Sequence, residues 1–255
     1  MPSDADPTSR FDGREDDYDR FRPGYPLDII RLLQSKGLLF TGAKVADIGS
    51  GTGILTAMLL EAGAFVYGVE PNAGMRGRAE TGFHGATSFE SVPNRAEATG
   101  LPDRSVDLIT AAQSFHWFDL VGSRREFVRT LRPGGAVILI WNNRLDDEGT
   151  FNIAYSRMLK DNGVDDSRGG SDGEQNKKID SLFEGVYEYY EFVNDQILDL
   201  ASLKGRLRSS SYCPRPDSPT FGKLMEAVDA VFEEHQLNGA VLLRYRTEVY
   251  LGYLH

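Results

Sequence analysis

The chain has 255 residues, of which 40% are apolar and 26% charged, so it can build a core; 28 Lys+Arg against 38 Asp+Glu leave a net charge of −10, which opposes binding to nucleic-acid phosphates and to anionic membrane surfaces. A lone cysteine, Cys213, read as a plain buried thiol, excludes an internal disulfide framework and a Cys-rich zinc site, and four scattered histidines without a His-x-x-x-His pair leave no His-built metal site. No apolar run approaches the ~20 residues of a membrane span, and the polar, acidic start differs from a signal or transit peptide, so a cytoplasmic α/β protein is expected.

In chain order, residues 1–17 carry Pro, Asp, Ser and Gly without apolar periodicity and read as a flexible start, the acidic run 12–19 as a solvated face. Leu27, Ile29, Ile30 and Leu33 behind Pro26 predict a helix over 26–36. Strands are expected at 44–48, 64–70, 87–92, 106–111 and 136–141, with helices at 54–62, 73–80 and 120–131 between them. Runs this apolar suit strands buried on both faces of a parallel sheet, and the alternation argues for a doubly wound α/β fold. Beyond 141 the pattern changes. A helix is expected at 151–160, a mobile surface loop at 162–178 (Gly163, Gly169, Gly170 and Gly173), strands at 186–193 and 241–252, and helices at 200–208 and 220–236.

The chemistry concentrates in Val45-Ala46-Asp47-Ile48-Gly49-Ser50-Gly51-Thr52-Gly53, which joins the first strand to a helix. Glycines there allow a tight turn, a close backbone approach to a ligand and tight helix packing, and the helix start offers free N–H groups. A dinucleotide site wants G-x-G-x-x-G for its pyrophosphate. Here the spacing is G-x-G-x-G, and Asp47 would repel a pyrophosphate while suiting a cationic amino group or a sulfonium.

The segment resembles motif I of class I S-adenosylmethionine (SAM) dependent methyltransferases, and further features of that family follow in order. Val69-Glu70-Pro71-Asn72 puts an acid at the end of the second strand, where the family binds ribose, and a carboxylate can accept from both hydroxyls. Met75 stands where the family packs an apolar side chain by adenine. Arg95-Ala96-Glu97, Leu101-Pro102 and Ser105-Val106-Asp107 resemble the adenine-pocket stretch; Arg95 replaces a frequent Asp, and the Ala96 backbone N–H remains available to adenine. Gln113-Ser114-Phe115-His116-Trp117-Phe118 resembles the segment after strand four that faces cofactor and acceptor, and Leu131-Arg132-Pro133-Gly134-Gly135 the turn before strand five. Residues 18–26, with Tyr18 and Arg22, look like the N-terminal lid of small-molecule methyltransferases of the ubiquinone-biosynthesis and trans-aconitate type. Ser209-Ser210-Ser211-Tyr212 and 245–250 resemble that group's C-terminal half.

The resemblance implies a mostly parallel seven-stranded sheet with an antiparallel last strand and a helical lid or insertion. It implies a lid at 1–25, a SAM-binding core at 26–142, and an acceptor side at 143–255 that completes the same sheet. Asp47, Gly49, Ser50, Gly51, Gly53, Glu70, Pro71, Asn72, Met75, Arg95, Ala96, Glu97 and Gln113, with Tyr18 and Arg22 of the lid, are the implied cofactor contacts. Phe115, His116, Trp117 and Tyr212 are the implied acceptor contacts, His116 serving as general base or as pocket wall. The expected activity is methyl transfer to a small molecule by a monomer or homodimer, without metal, nucleic acid or membrane. A SAM-binding protein without transferase activity and a nicotinamide-dependent oxidoreductase are the alternatives.

Overall fold

The computed structural model describes residues 21–164, 172–210 and 212–255. Its frame is a seven-stranded sheet of order β3-β2-β1-β4-β5-β9-β6. The strands are β1 (Lys44–Ile48), β2 (Phe65–Val69), β3 (Phe89–Val92), β4 (Val106–Ala112), β5 (Leu131–Arg144), β6 (Tyr187–Val193) and β9 (Tyr245–Gly252). β1 to β5 are parallel; β9 runs antiparallel between β5 and β6. This is the doubly wound, mostly parallel arrangement with an antiparallel last strand that the sequence implied.

Two apolar layers explain why these strands read as continuous hydrophobic runs. Val45, Val66, Leu108, Ile138, Ile140, Val249 and Leu251 face a layer formed by α1 (Leu27–Ser35), through Ile29, Ile30 and Leu33, and α2 (Ile54–Glu61), through Leu55 and Leu59. Neighbouring positions Ala46, Ile48, Ile109, Val137, Leu139 and Trp141 face the opposite layer. That layer holds Phe127 of α4 (Leu120–Thr130) and Ile179, Leu182 and Phe183 of α6 (Asp172–Phe183). The remaining helix of the first half, α3 (Ala73–Gly82), follows β2 and is capped by Asn72, whose side chain accepts from the Met75 N–H. A third cluster lies beyond the sheet. There α5 (Thr150–Asp161), α7 (Leu200–Arg208) and α8 (Pro219–His235) pack with a ribbon of β7 (Gln196–Leu198) and β8 (Val241–Leu243), around Tyr155, Leu159, Leu207, Cys213 and Val228.

Three sequence expectations need correction. Residues 172–178, expected in a loop, begin α6, and its three buried apolar residues crowd the C-terminal turns behind a polar start. Residues 165–171 lie outside the description. The stretch 241–252 is two strands, because the side chain of Asn152 claims both backbone groups of Arg244: Oδ1 accepts from its N–H at 3.0 Å and Nδ2 donates to its carbonyl at 3.0 Å. The turn expected at 131–135 is a bulge inside β5: Val106 pairs with Leu131 and Leu108 with Ala136, so the intervening loop of Pro and Gly swells out of an otherwise continuous strand. The short strand β7 carried too little pattern to be expected at all.

Among the described residues, no helix is long and apolar enough to cross a membrane, and no three His, Cys, Asp or Glu side chains gather as metal ligands.

Candidate active site

The loop between β1 and α2 turns back at the carboxyl edge of the sheet, where a parallel α/β fold opens its ligand crevice. Gly49, Gly51 and Gly53 all have positive φ, at 69°, 59° and 94°. Their surroundings differ. A Cβ on Gly49 would meet Ser114 Cβ at 2.5 Å, and one on Gly53 would meet Phe83 Cε2 at 2.5 Å, so these two glycines permit close packing. A Cβ on Gly51 would meet nothing nearer than Met75 Cε at 3.6 Å. The open side of the loop is at Gly51, and it borders a shallow concavity lined by Tyr25, Asp47, Gly49, Ser50, Gly51 and Ala112, among others.

Asp47 sits beneath this loop, 1% exposed. Thr56 of α2 donates to Oδ2 at 2.7 Å and Thr110 of β4 to Oδ1 at 2.8 Å. The register that pairs Asp47 with Thr110 makes the second contact a direct consequence of β1–β4 pairing. Burial pushes the carboxyl above the usual carboxylate range, against the two hydroxyls that favour its charged form. Asp47 therefore ties strand, helix and neighbouring strand together under the loop as well as lining the concavity.

Glu70 ends β2. Oε2 accepts from the Gly51 N–H at 3.0 Å and Oε1 from the Asn72 N–H at 2.8 Å, so one carboxylate bridges the Gly-rich loop and the start of α3. Burial raises its pKa, opposed by those two N–H groups and by Arg76. Each oxygen keeps a lone pair for an incoming hydroxyl. Met75 is buried beside Gly51, and Pro71 is half-buried. The Thr52 hydroxyl is buried without a hydrogen-bond partner, a polar atom in the loop that the protein leaves unsatisfied. Positive-φ backbone open at Gly51, a bridging carboxylate and an orphaned hydroxyl fit a polar cofactor that carries a hydroxylated sugar.

The other expected cofactor contacts are dispersed. Arg95 is exposed, while Ala96 is buried. Glu97 Oε1 accepts from the Asp119 N–H at 2.7 Å, and Asp119 in turn caps α4 through the Gly122 N–H, so the Glu97 carboxylate stabilises a helix start. Gln113 holds a positive φ of 55°, sparsely populated for a residue with a side chain, and is fixed there by its N–H on the Ile140 carbonyl and its Nε2 on the Asn142 carbonyl. Ser114 Oγ donates to the Ile48 carbonyl at 2.7 Å, locking the post-β4 segment against the Gly-rich loop.

Of the expected acceptor contacts, Phe115 is fully buried and packs edge-on against Trp141 and Phe118, which makes it core rather than an open wall. His116 and Trp117 are half-buried, their rings 4.5 Å apart at 50°. Sequence reasoning missed the group that holds this turn. Lys178 of α6 donates to the carbonyls of Phe115 at 3.0 Å, His116 at 3.2 Å and Phe118 at 2.5 Å, and lies 5.0 Å from the Phe115 ring centroid. Burial pushes its ammonium below the ordinary lysine range, opposed by Asp119 and Glu97. No local signal could have found it, because Lys178 lies some sixty residues from its partners.

Tyr18 and Ser211 lie outside the described residues. Arg22 is described: Nη2 donates to the Ser209 carbonyl at 3.0 Å. The segment after it crosses the carboxyl end of β5, where Asn142 and Asn194 both donate to the Gly24 carbonyl, at 3.1 and 2.8 Å, and Tyr25 then reaches the concavity. Tyr212 is half-buried against the third apolar cluster, away from the Gly-rich loop in sequence but close to Arg144 and Arg206.

This geometry agrees with comparisons to known proteins. Residues 46–139 match a family model described as a methyltransferase domain. An uncharacterized methyltransferase of Mycobacterium tuberculosis is 37% identical over 127 residues, 50% of this chain and 49% of that protein. An uncharacterized methyltransferase-like protein of Schizosaccharomyces pombe is 30% identical over 144 residues, 56% of this chain and 55% of that protein. The chain thus spans about half the length of these curated relatives. Among solved structures, a candidate type II methyltransferase from Anaeromyxobacter dehalogenans superposes with a TM-score of 0.67 at 20% identity, covering 92% of this chain and 98% of that one. A SAM-dependent methyltransferase from Geobacter sulfurreducens, solved with S-adenosylhomocysteine, superposes at 0.53 and 14% identity, over 96% and 98%. The fold is that of the class I methyltransferases. Within that fold, residues 46–139 are similar to the methyltransferase-domain family.

Proposed function

We propose that the chain transfers a methyl group from SAM to a small-molecule acceptor. The observation that carries this reading is the Glu70 carboxylate bridging Gly51 and Asn72 beside the open side of the Gly-rich loop. Glu70 would take the ribose hydroxyls, the loop N–H groups and Thr52 the amino-acid end, and Met75 a face of the adenine. When bound, SAM supplies an electrophilic methyl on a sulfonium. The leaving thioether departs neutral, so no acid is needed, and the protein's work is to align the nucleophile in line with the methyl–sulfur bond and to exclude water. Residues 21–25 would close over that reaction, with the third apolar cluster and α6 forming the acceptor side within 143–255.

His116 is proposed to line the acceptor pocket within reach of the methyl. If the acceptor must lose a proton, His116→Ala cuts turnover by about 10²–10⁴-fold; if His116 is a wall, the loss falls on acceptor affinity. In either case SAM affinity holds. A SAM-bound crystal structure with the His116 ring turned from the sulfonium would remove it from the site. The reading as a whole is tested by calorimetric titration with SAM and with NAD, followed by formation of S-adenosylhomocysteine in the presence of a metabolite library. Binding of NAD in place of SAM would overturn it. SAM binding without turnover on any acceptor would make the chain a SAM-binding protein.

A further inference from the structure

A second group of buried polar residues lies on the acceptor side, and methyl transfer as described above does not use it. Arg206 of α7 is 7% exposed. Nη2 donates to the Tyr245 hydroxyl at 2.7 Å, and Nη1 reaches the Ser210 hydroxyl at 3.1 Å and that of Ser209 at 3.4 Å. Its Nε is buried with no hydrogen-bond partner, and no carboxylate pairs with this guanidinium among the described residues. Arg144, at the end of β5, is 6% exposed; it pairs with Asp146 at 2.6 Å and lies over the Tyr155 ring at 5.1 Å. Arg22 reaches the same helix end through the Ser209 carbonyl. Among the described residues, three arginines, three tyrosines and the Asp146 carboxylate thus converge, in a chain whose net charge is −10.

A buried cation without an anionic partner is costly to desolvate, and neutral phenols return only part of that cost. Burial alone would raise the Tyr212 pKa, yet Arg144, Arg206, the Ser210 hydroxyl and Arg22 outweigh it and pull the phenol down, which reports a strongly positive local field. The place is also right. Arg144 stands two residues beyond Asn142, the residue that holds Gly24. Arg22 and Tyr25 lie three residues apart, so their Cα atoms are within about 10 Å even if the segment is fully extended, and Tyr25 lines the concavity at the Gly-rich loop.

We propose that Arg206 and Arg144, with the hydroxyls of Tyr212 and Tyr245, form an anion subsite that anchors a carboxylate or phosphate of the methyl acceptor. The inference rests on the methyl-transfer reading for the acceptor's role, but anion binding is measured without turnover. The full chain, with S-adenosylhomocysteine present, is titrated with sodium succinate in one arm and inorganic phosphate in the other, each against sodium chloride at matched ionic strength, by melting and by calorimetry. Saturable stabilisation by succinate assigns a carboxylate acceptor, and by phosphate a phosphate ester. Arg206→Met weakens the effective anion by about tenfold or more, the scale of a hydrogen bond to a charged group, while S-adenosylhomocysteine affinity stays within about twofold. If circular dichroism shows Arg206→Met unfolded, Tyr212→Phe replaces it, with an expected loss of about three- to tenfold. Neither anion exceeding the chloride control, or either folded variant binding the anion as the parent does, overturns the proposal. Failure of the parent chain to bind S-adenosylhomocysteine would instead strike the methyl-transfer reading, and the anion titrations would still be read on their own.

Discussion

At the scale of the residue, the three glycines of one loop separate into two physical roles. Gly53→Ala places a Cβ 2.5 Å from Phe83 Cε2 at a φ of 94°. Left-handed strain of about 1–2 kcal/mol adds to overpacking of about 1–3 kcal/mol, so its melting temperature should drop sharply. Gly51→Ala carries the strain alone, since Met75 Cε at 3.6 Å is in ordinary contact. It should melt closer to the parent yet lose SAM affinity by about tenfold or more, because the new methyl stands where the loop must approach the cofactor. Calorimetry and melting on the pair check this; a Gly51→Ala protein that binds SAM normally would break the distinction. Glu70→Ala is expected to weaken SAM by about 1.5–3 kcal/mol. It also strands the N–H groups of Gly51 and Asn72, so some stability goes with it. Unchanged affinity in the folded variant would remove Glu70 from the ribose site.

At the scale of the element, α6 acts from a distance in sequence on the 115–118 turn, which is proposed to face the acceptor. Lys178→Met releases the carbonyls of Phe115, His116 and Phe118 together while keeping the apolar stem. The expected outcome is a rise in acceptor KM of about tenfold, with SAM affinity held within about twofold and a stability loss of about 1–3 kcal/mol. Partial recovery by Lys178→Arg would separate a positioning role from bulk packing. The same element shows where sequence reading stops. The central strands announced themselves because both of their faces are buried, and the Gly-rich loop because its spacing has a physical meaning. By contrast α6 hides its three apolar contacts behind polar residues, and Arg244 breaks a strand because Asn152, distant in sequence, takes its backbone groups. Asp47 and Glu70 were legible as acids at strand ends. That one is held by two threonines and the other bridges two N–H groups follows from sheet register and loop closure, which no single segment encodes.

At the scale of the whole molecule, acid stability should depend on a buried carboxylate far from the loop. Glu126 accepts from the N–H and hydroxyl of Thr99 and from Arg129. Burial alone would raise its pKa, but these donors pull it from the usual 4.5 down to about 2. A depressed pKa contributes stability above the unfolded value and loses it as pH falls through the folded one. The Glu126→Gln variant should therefore melt below the parent at neutral pH, and the gap should close as pH falls from 4.5 towards about 2. Asp47 and Glu70, both raised, bend the absolute curves the other way, so the difference between the two proteins is the quantity to follow. A gap that persists unchanged across that window would remove Glu126 as its source.

The position of β9 sets an order of events. It comes last in chain order among the described strands, after β6, yet it lies between β5 and β6, hydrogen-bonded to both. β6 therefore has no sheet neighbour until the strand some fifty residues after it arrives, and the edge that β9 will cover stays a free template in the meantime. Domains fold as units during synthesis, and unpaired edges invite association between chains. Arrest of translation just before residue 245 should leave a nascent chain whose first half resists protease while 187–193 is cut, and release of the arrest should protect both together.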